Sequence, residues 1–186
     1  MNIKNLRLRS LLLDKARLEE IVRLKLHQNF IDEVLNEYIE QASLELDTPI
    51  SFISIVLDGV QKFASLHGVD GWIREAQGTA VEWSFCINSF ETQLPFVVED
   101  TEANPITKDN PLVKVDKVKS YAGAPMITKN GKQIGNFCVA GVESRSFTEE
   151  EIKVLEKYAD LTVKRLEERI ISVSYTHLTL PTTSRV

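Results

Sequence analysis

The sequence is sparing in the residues that staple, break or anchor a chain. Its 186 residues include only two cysteines, Cys86 and Cys138. That is too few for a disulfide scaffold and fits a reducing compartment. Eight glycines and six prolines exclude a fibrous or low-complexity chain. No apolar run approaches the ~20 residues that a membrane-spanning helix needs. Leu11-Leu12-Leu13 follows Lys4, Arg7 and Arg9 in the manner of a secretory signal, but Asp14 and Lys15 end the apolar stretch far too early. A cytoplasmic protein with no membrane partner is expected. Base is not in excess either: 22 Lys and Arg against 27 Asp and Glu leave a net charge of −5, which speaks against a nucleic-acid partner. His27, His67 and His177 are too scattered for a spaced metal motif. No G-x-S-x-G, H-E-x-x-H, Walker or paired-carboxylate pattern occurs. Neither an enzyme nor a metal protein is indicated, and the cofactor stays unspecified.

What is present is an ordinary globular composition, 43% hydrophobic and 26% charged, in a chain long enough for one domain with its own core. Charge is unevenly placed. Residues 1–29 carry seven basic and three acidic side chains, net +4, whereas residues 30–172 are net −10. A basic N-terminal helical segment is therefore expected ahead of an acidic body.

Helical apolar spacing without Gly or Pro predicts helix from about Leu11 to Leu46, ended by Asp47-Thr48-Pro49. Ile50–Leu57 then reads as a strand and Gln61–His67 as its return after Asp58-Gly59. Residues 68–94 read as irregular, with a weakly helical stretch at Ser84–Phe90, and Phe96–Val98 as a short strand. The polar connection 99–119 is long enough to be disordered or functional. Ser120–Thr128 and Gln133–Val142 read as a hairpin through Asn130-Gly131, where both turn positions are expected at positive φ. Thr148 and Glu151 make a capping box, flanked by Phe147 and Ile152 at staple spacing. The helix they open carries a narrow seam from Ile152 through Leu155, Ala159, Val163 and Leu166 to Ile170, suited to a sheet or to a partner helix. The order defines an α+β fold with an antiparallel central sheet.

Ser84-Phe85-Cys86, Phe96-Val97-Val98-Glu99-Asp100, Asn110-Pro111-Leu112-Val113, Ser120-Tyr121-Ala122-Gly123-Ala124-Pro125 and the run from Gly135 to Cys138-Val139 follow one another in order. In these pieces and their spacing the chain resembles a GAF domain, the small-molecule-sensing module of bacterial signalling proteins, from about Phe30 to Glu168. The resemblance implies N- and C-terminal helices on one face of the sheet and a ligand pocket under loops on the other. It also implies a small-molecule ligand, a homodimer paired through the terminal helices, and an output domain that is separate or lost. The fold alone does not name the ligand. The Asn-Lys-x-Phe-type signature of cyclic-nucleotide binders is missing. Ile87, not His, follows Cys86, unlike bilin attachment sites. The cysteine spacing also differs from that of the free methionine sulfoxide reductases of this fold.

Within the implied pocket the candidate ligand-binding residues are Ser84, Cys86, Asp100, Tyr121 and Cys138. Cys86 and Cys138 read either as a redox couple, which requires a lowered thiol pKa and close approach, or as small buried hydrophobes. Burial takes precedence, because Cys138 lies between Phe137 and Val139 and no cation is near in sequence. A cysteine-dependent reductase and a ligand-free dimerisation domain stand as the alternatives. Asp100 reads as a pocket acceptor or as a turn-former. The small Ala122-Gly123-Ala124 run beside Tyr121 leaves room for a ligand or for tight packing. Residues 173–183 break from the charged helix before them and resemble a translated sequencing adapter, so 173–186 is expected to be a non-native or disordered tail.

Overall fold

The computed structural model describes the backbone of residues 3–178 and the side chains of residues 6–172. Three helices come first: α1 (Ile3–Leu12), α2 (Lys15–Arg23) and α3 (Glu33–Glu45). The single helix expected over residues 11–46 is thus interrupted twice. Asp14 and Asp32 each start a new helix as N-caps, their carboxylates accepting the amides of Arg17 and Val34. Lys25, at φ 55°, turns the chain out of α2. Periodicity ran through both breaks because Asp caps look like exposed helical positions in sequence.

Strands β1 (Ile50–Val56), β2 (Val60–His67), β3 (Gly78–Ala80), β4 (Phe96–Val98), β5 (Ser120–Ile127) and β6 (Gln133–Gly141) form one antiparallel sheet in the order β3-β2-β1-β6-β5-β4. Between β2 and β3 lies α4 (Trp72–Ala76), and α5 (Pro111–Lys114) sits in the long connection. Both short helices and β3 fall in stretches expected to be irregular. Two 3₁₀ turns cover Val81–Trp83 and Phe85–Ser89, the second matching the weakly helical stretch. In the β5–β6 hairpin only Gly131 takes positive φ, at 72°, and its amide donates to Thr128 O at 2.8 Å. The connection is a turn closed by a left-handed glycine, and the expected pair of left-handed turn residues is not formed.

The chain ends in α6 (Glu149–Leu178). The capping box closes as expected: the Thr148 amide donates to Glu151 Oε2 at 2.8 Å and the Glu151 amide to Thr148 Oγ1 at 3.2 Å. Leu155, Ala159, Thr162, Val163 and Leu166 are buried within the chain, so the seam packs on the sheet and α3. The α6 backbone continues through residues 173–178, and residues 179–186 of the expected tail lie outside the described residues.

Each face of the sheet has its own core. On one, Ile53, Ile55, Ala122, Ala124, Phe137 and Val139 pack with α2, α3 and α6. Leu24 and Leu26, both fully buried, belong to this cluster, so α2 and the turn after it are built into the domain. Arg17 secures it. The residue is 3% exposed, and its guanidinium donates to the carbonyls of Leu12 and Val56 and lies 5.4 Å from the centre of the Phe90 ring. On the opposite face Val56, Val98, Tyr121 and Cys138 pack with Val81, Phe85, Cys86 and Phe90 from the 3₁₀ region. No helix among the described residues is long and apolar enough to cross a membrane.

Candidate functional site

The loop-covered face holds a cavity of ≈270 Å³. Its floor is the sheet: Phe52 from β1, Gln61, Phe63 and Leu66 from β2, Tyr121 from β5 and Ala140 from β6. Its cover comes from the 68–70 loop, Ile73 of α4, Phe85, Leu112 of α5, and Asp116 and Val118 after it. A β-bulge makes the floor. Ser54 faces Phe63 whereas Phe52 faces Leu66, so one extra residue, Ala64, is inserted between them. Strict alternation would turn Phe63 and Leu66 to opposite faces; the bulge brings both to the cavity.

Tyr121 is the one candidate of the five that lines this cavity. Its hydroxyl lies 3.3 Å from Cys86 Sγ and 3.2 Å from Cys138 Sγ, and the two sulfurs are 3.5 Å apart. All three side chains are essentially inaccessible to solvent. Burial pushes the Cys86 thiol up, but hydrogen bonds, the one from Cys138 foremost, outweigh it and bring the thiol to about 7. Burial raises the Cys138 thiol and the Tyr121 phenol well above their ordinary values. Of the three, Cys86 is therefore the group that ionises first. Both features of the two sequence readings are present: the cysteines are buried, and they are also in contact.

Ser84 lies at the edge of this cluster, where its Oγ accepts the Cys86 amide at 3.2 Å and starts the 3₁₀ turn. Ser89 then ties the turn to β6: its hydroxyl donates to Cys86 O at 2.8 Å and accepts from Asn136 Nδ2 at 2.9 Å and Gln133 Nε2 at 2.8 Å. Asp100 does not join the site. Its Oδ1 accepts the amides of Glu102 at 3.0 Å and Ala103 at 3.1 Å, which shapes the start of the long connection. Of the two readings of Asp100, pocket acceptor and turn-former, these hydrogen bonds match the turn-former. Packing also explains the small residues of β5. Ala122 and Ala124 are fully buried against the helical face, and a Cβ on Gly123 would meet Tyr121 Oη at 2.2 Å.

Sequence reasoning missed Gln61 and Asp116. Gln61 is 2% exposed with its Oε1 unpartnered, and Asp116 Oδ2 is also buried without a partner. Asp116 Oδ1 accepts from Trp72 Nε1 at 3.0 Å. Gln61 left a signal, being polar at a position where β2 alternates inward. Asp116 left none, because it is one charged residue among several in a polar connection. Among the described residues no group of three or more His, Cys, Asp or Glu could hold a metal ion.

A sheet with helices on one face and a small cavity beneath loops on the other places the chain in the layered α+β class. The GAF domain family model matches residues 30–166, and the chain belongs to that family. It is 32% identical over 155 residues to a cyclic di-GMP phosphodiesterase of Pseudomonas aeruginosa, a match that takes in 82% of this chain and 26% of that protein. The chain thus spans about a quarter of that relative's length. Among solved structures, the GAF domain of a phosphoenolpyruvate-protein phosphotransferase from Coxiella burnetii aligns with TM-score 0.64 at 16% identity, covering 85% of this chain and 96% of that one. A type II free methionine-R-sulfoxide reductase from Thermoplasma acidophilum aligns with TM-score 0.60 at 14% identity, covering 73% and 92%. These structural likenesses establish the fold.

Proposed function

We infer that the chain is a non-catalytic regulatory module that binds a small molecule in the cavity above Tyr121 and signals through its terminal helices. The supporting observation is the placement of β5 between cavity and helices. Tyr121 lines the cavity, while its neighbours Ala122 and Ala124 lie against the helical face on which α6 packs. A ligand that fits one position of Tyr121 better than another biases the strand, and with it the seating of α6. The size of that bias equals the ligand's differential affinity for the two arrangements.

In this reading two copies pair through their helices. The pairing surface is the outside of the layer, where Val22 of α2, Leu44 of α3 and Ile171 of α6 are exposed, since the inner seam of α6 is occupied within the chain. The output lies in another domain, and the relative's cyclic di-GMP phosphodiesterase activity is the first output to test. The deciding experiment is a thermal-shift screen of the purified chain against metabolites, repeated on Ala140→Leu, which narrows the cavity. A ligand that raises the melting temperature of the wild type and not of the variant supports the reading. The absence of any stabilising metabolite overturns it.

One observation favours a second reading, a thiol reductase: the 3.5 Å approach of Cys86 Sγ and Cys138 Sγ, with the Cys86 thiol near 7. Turnover of free methionine-R-sulfoxide by the wild type, abolished in Cys86→Ser, would establish it, and no turnover removes it.

A further inference from the structure

Resting on the cavity as the binding site, we propose that its ligand is a small primary-amine cation carrying one apolar ring, and not a phosphate-bearing molecule. Four aromatic rings, Phe52, Phe63, Phe85 and Tyr121, line the cavity. Its charged lining consists of Asp70 and Asp116 alone; no Lys, Arg or His contributes. Asp70 is fully exposed and lies 3.8 Å from Arg74. Among the described residues Asp116 has no such counterion. The lysines closest to it in sequence bond elsewhere, Lys114 to Asp109, Lys117 to the Lys114 carbonyl and Lys119 to Glu102.

The unsatisfied atoms at the cavity are acceptors. Asp116 Oδ2 is buried without a partner while Oδ1 is held by the Trp72 indole, and Gln61 Oε1, on a side chain 2% exposed, is also unpartnered. An ionised carboxylate only accepts hydrogen bonds, so its missing partner must donate. A buried acceptor left unpaired is costly, and a charged donor offsets that cost more than a neutral one. Aromatic faces add attraction for a cation through their ring quadrupoles. Phosphate would meet Asp116 with no positive group to neutralise either charge, which selects against it. Size sets the remaining limit. A cavity of about 150 Å³ takes benzene, so ≈270 Å³ admits one ring and a short chain.

The test is calorimetric titration of the full chain with three probes of similar size: 2-phenylethylamine as cation, 2-phenylethanol as neutral donor and phenylacetate as anion. The cation is expected to bind tightest and the anion weakest. Asp116→Asn keeps an acceptor for Trp72 and removes the charge. It should weaken the cation roughly 10- to 100-fold and leave the alcohol unchanged. Ala140→Leu should weaken binding of every probe. Equal or tighter binding of the anion, or a cation affinity unmoved by Asp116→Asn, overturns the ligand class. If binding is still weakened in Ala140→Leu, the cavity reading survives that outcome. Failure of all three probes to bind overturns the proposal, and a cavity-independent metabolite hit in the thermal-shift screen would overturn the pocket as well.

Discussion

Replacing Gly123 with alanine separates tight packing from open space at the heart of the site. A Cβ there would sit 2.2 Å from Tyr121 Oη, 2.8 Å from Cζ and 3.2 Å from Cε1, against an ordinary carbon contact of about 3.5–4.0 Å. The ring has little freedom to yield. Phe85 packs edge-on at 5.1 Å between centroids, Phe96 lies at 6.1 Å, and both cysteine sulfurs are within hydrogen-bonding reach of the hydroxyl. Overpacking of this kind costs about 1–3 kcal/mol, and alanine recovers about 0.5–1 kcal/mol in a strand through lower unfolded-state entropy. Mid-range values leave a net loss of about 1 kcal/mol, or a melting temperature lower by roughly 2–4 °C in a domain of this size. Displacement of Tyr121 also removes a donor from Cys86, so its thiol should titrate above the wild-type value of about 7. Calorimetry reads the first effect and thiolate absorbance against pH the second. Tyr121→Phe in the same background removes the nearest clashing atom and should recover part of the loss, a coupling visible in a double-mutant cycle. An unchanged or higher melting temperature together with an unmoved thiol titration would refute the packing account.

The remaining predictions concern charge. Glu20 accepts from Arg23 and from Asn130 Nδ2 at 2.7 Å, tying α2 to the β5–β6 hairpin, and Arg23 foremost holds its carboxyl down at about 2. Because the folded value lies below the unfolded one, this stabilisation is present above about 4.5 and is lost as pH falls toward 2; acid denaturation curves of the wild type and Glu20→Gln should therefore converge at low pH, from a difference on the order of 2 kcal/mol at neutrality. Arg17→Met leaves the Leu12 and Val56 carbonyls without their buried donor and should cost about 2–4 kcal/mol in urea denaturation, with a neutral result removing Arg17 as the anchor of the N-terminal helices. For Cys86, whose folded value of about 7 lies below the ordinary 9, the stabilisation is full above 9 and disappears as pH falls through 7. The stability of the wild type relative to Cys86→Ser should rise from pH 7 to 9, and an identical pH dependence of the two proteins would contradict an ionising Cys86.

Patterns that depend on a few neighbouring residues were legible in the sequence. The Thr148–Glu151 capping box, the β1 and β5–β6 strand assignments, and the apolar seam of α6 follow from local hydrogen-bonding needs and hydrophobic period, and they appear in the structure. The motif order from Ser84 to Val139 likewise carried the family, and hence the layered α+β architecture. Short elements were less legible: α4, β3 and α5 hold only five, three and four residues, too few for a period to emerge. Breaks at Asp14 and Asp32 were hidden because a capping carboxylate and a solvent-facing helical one are the same residue in one dimension.

What only the tertiary structure decided is which side chains meet. Cys86 and Cys138 are 52 positions apart, and no sequence rule brings their sulfurs to 3.5 Å. Antiparallel pairing of β1, β6 and β5 sets Cys138 on the same face as Tyr121, and the Ser84-capped 3₁₀ turn lowers Cys86 onto both. Asp100 and Asp116 are both acidic residues of the 99–119 connection, yet one is consumed by its own turn and the other lines the cavity and keeps one buried oxygen unpaired. Composition and period determine which surfaces must be buried, since apolar area is summed locally along the chain. A site depends on contacts made across the sheet, so its geometry is fixed only when bulge, register and loop cover are all in place.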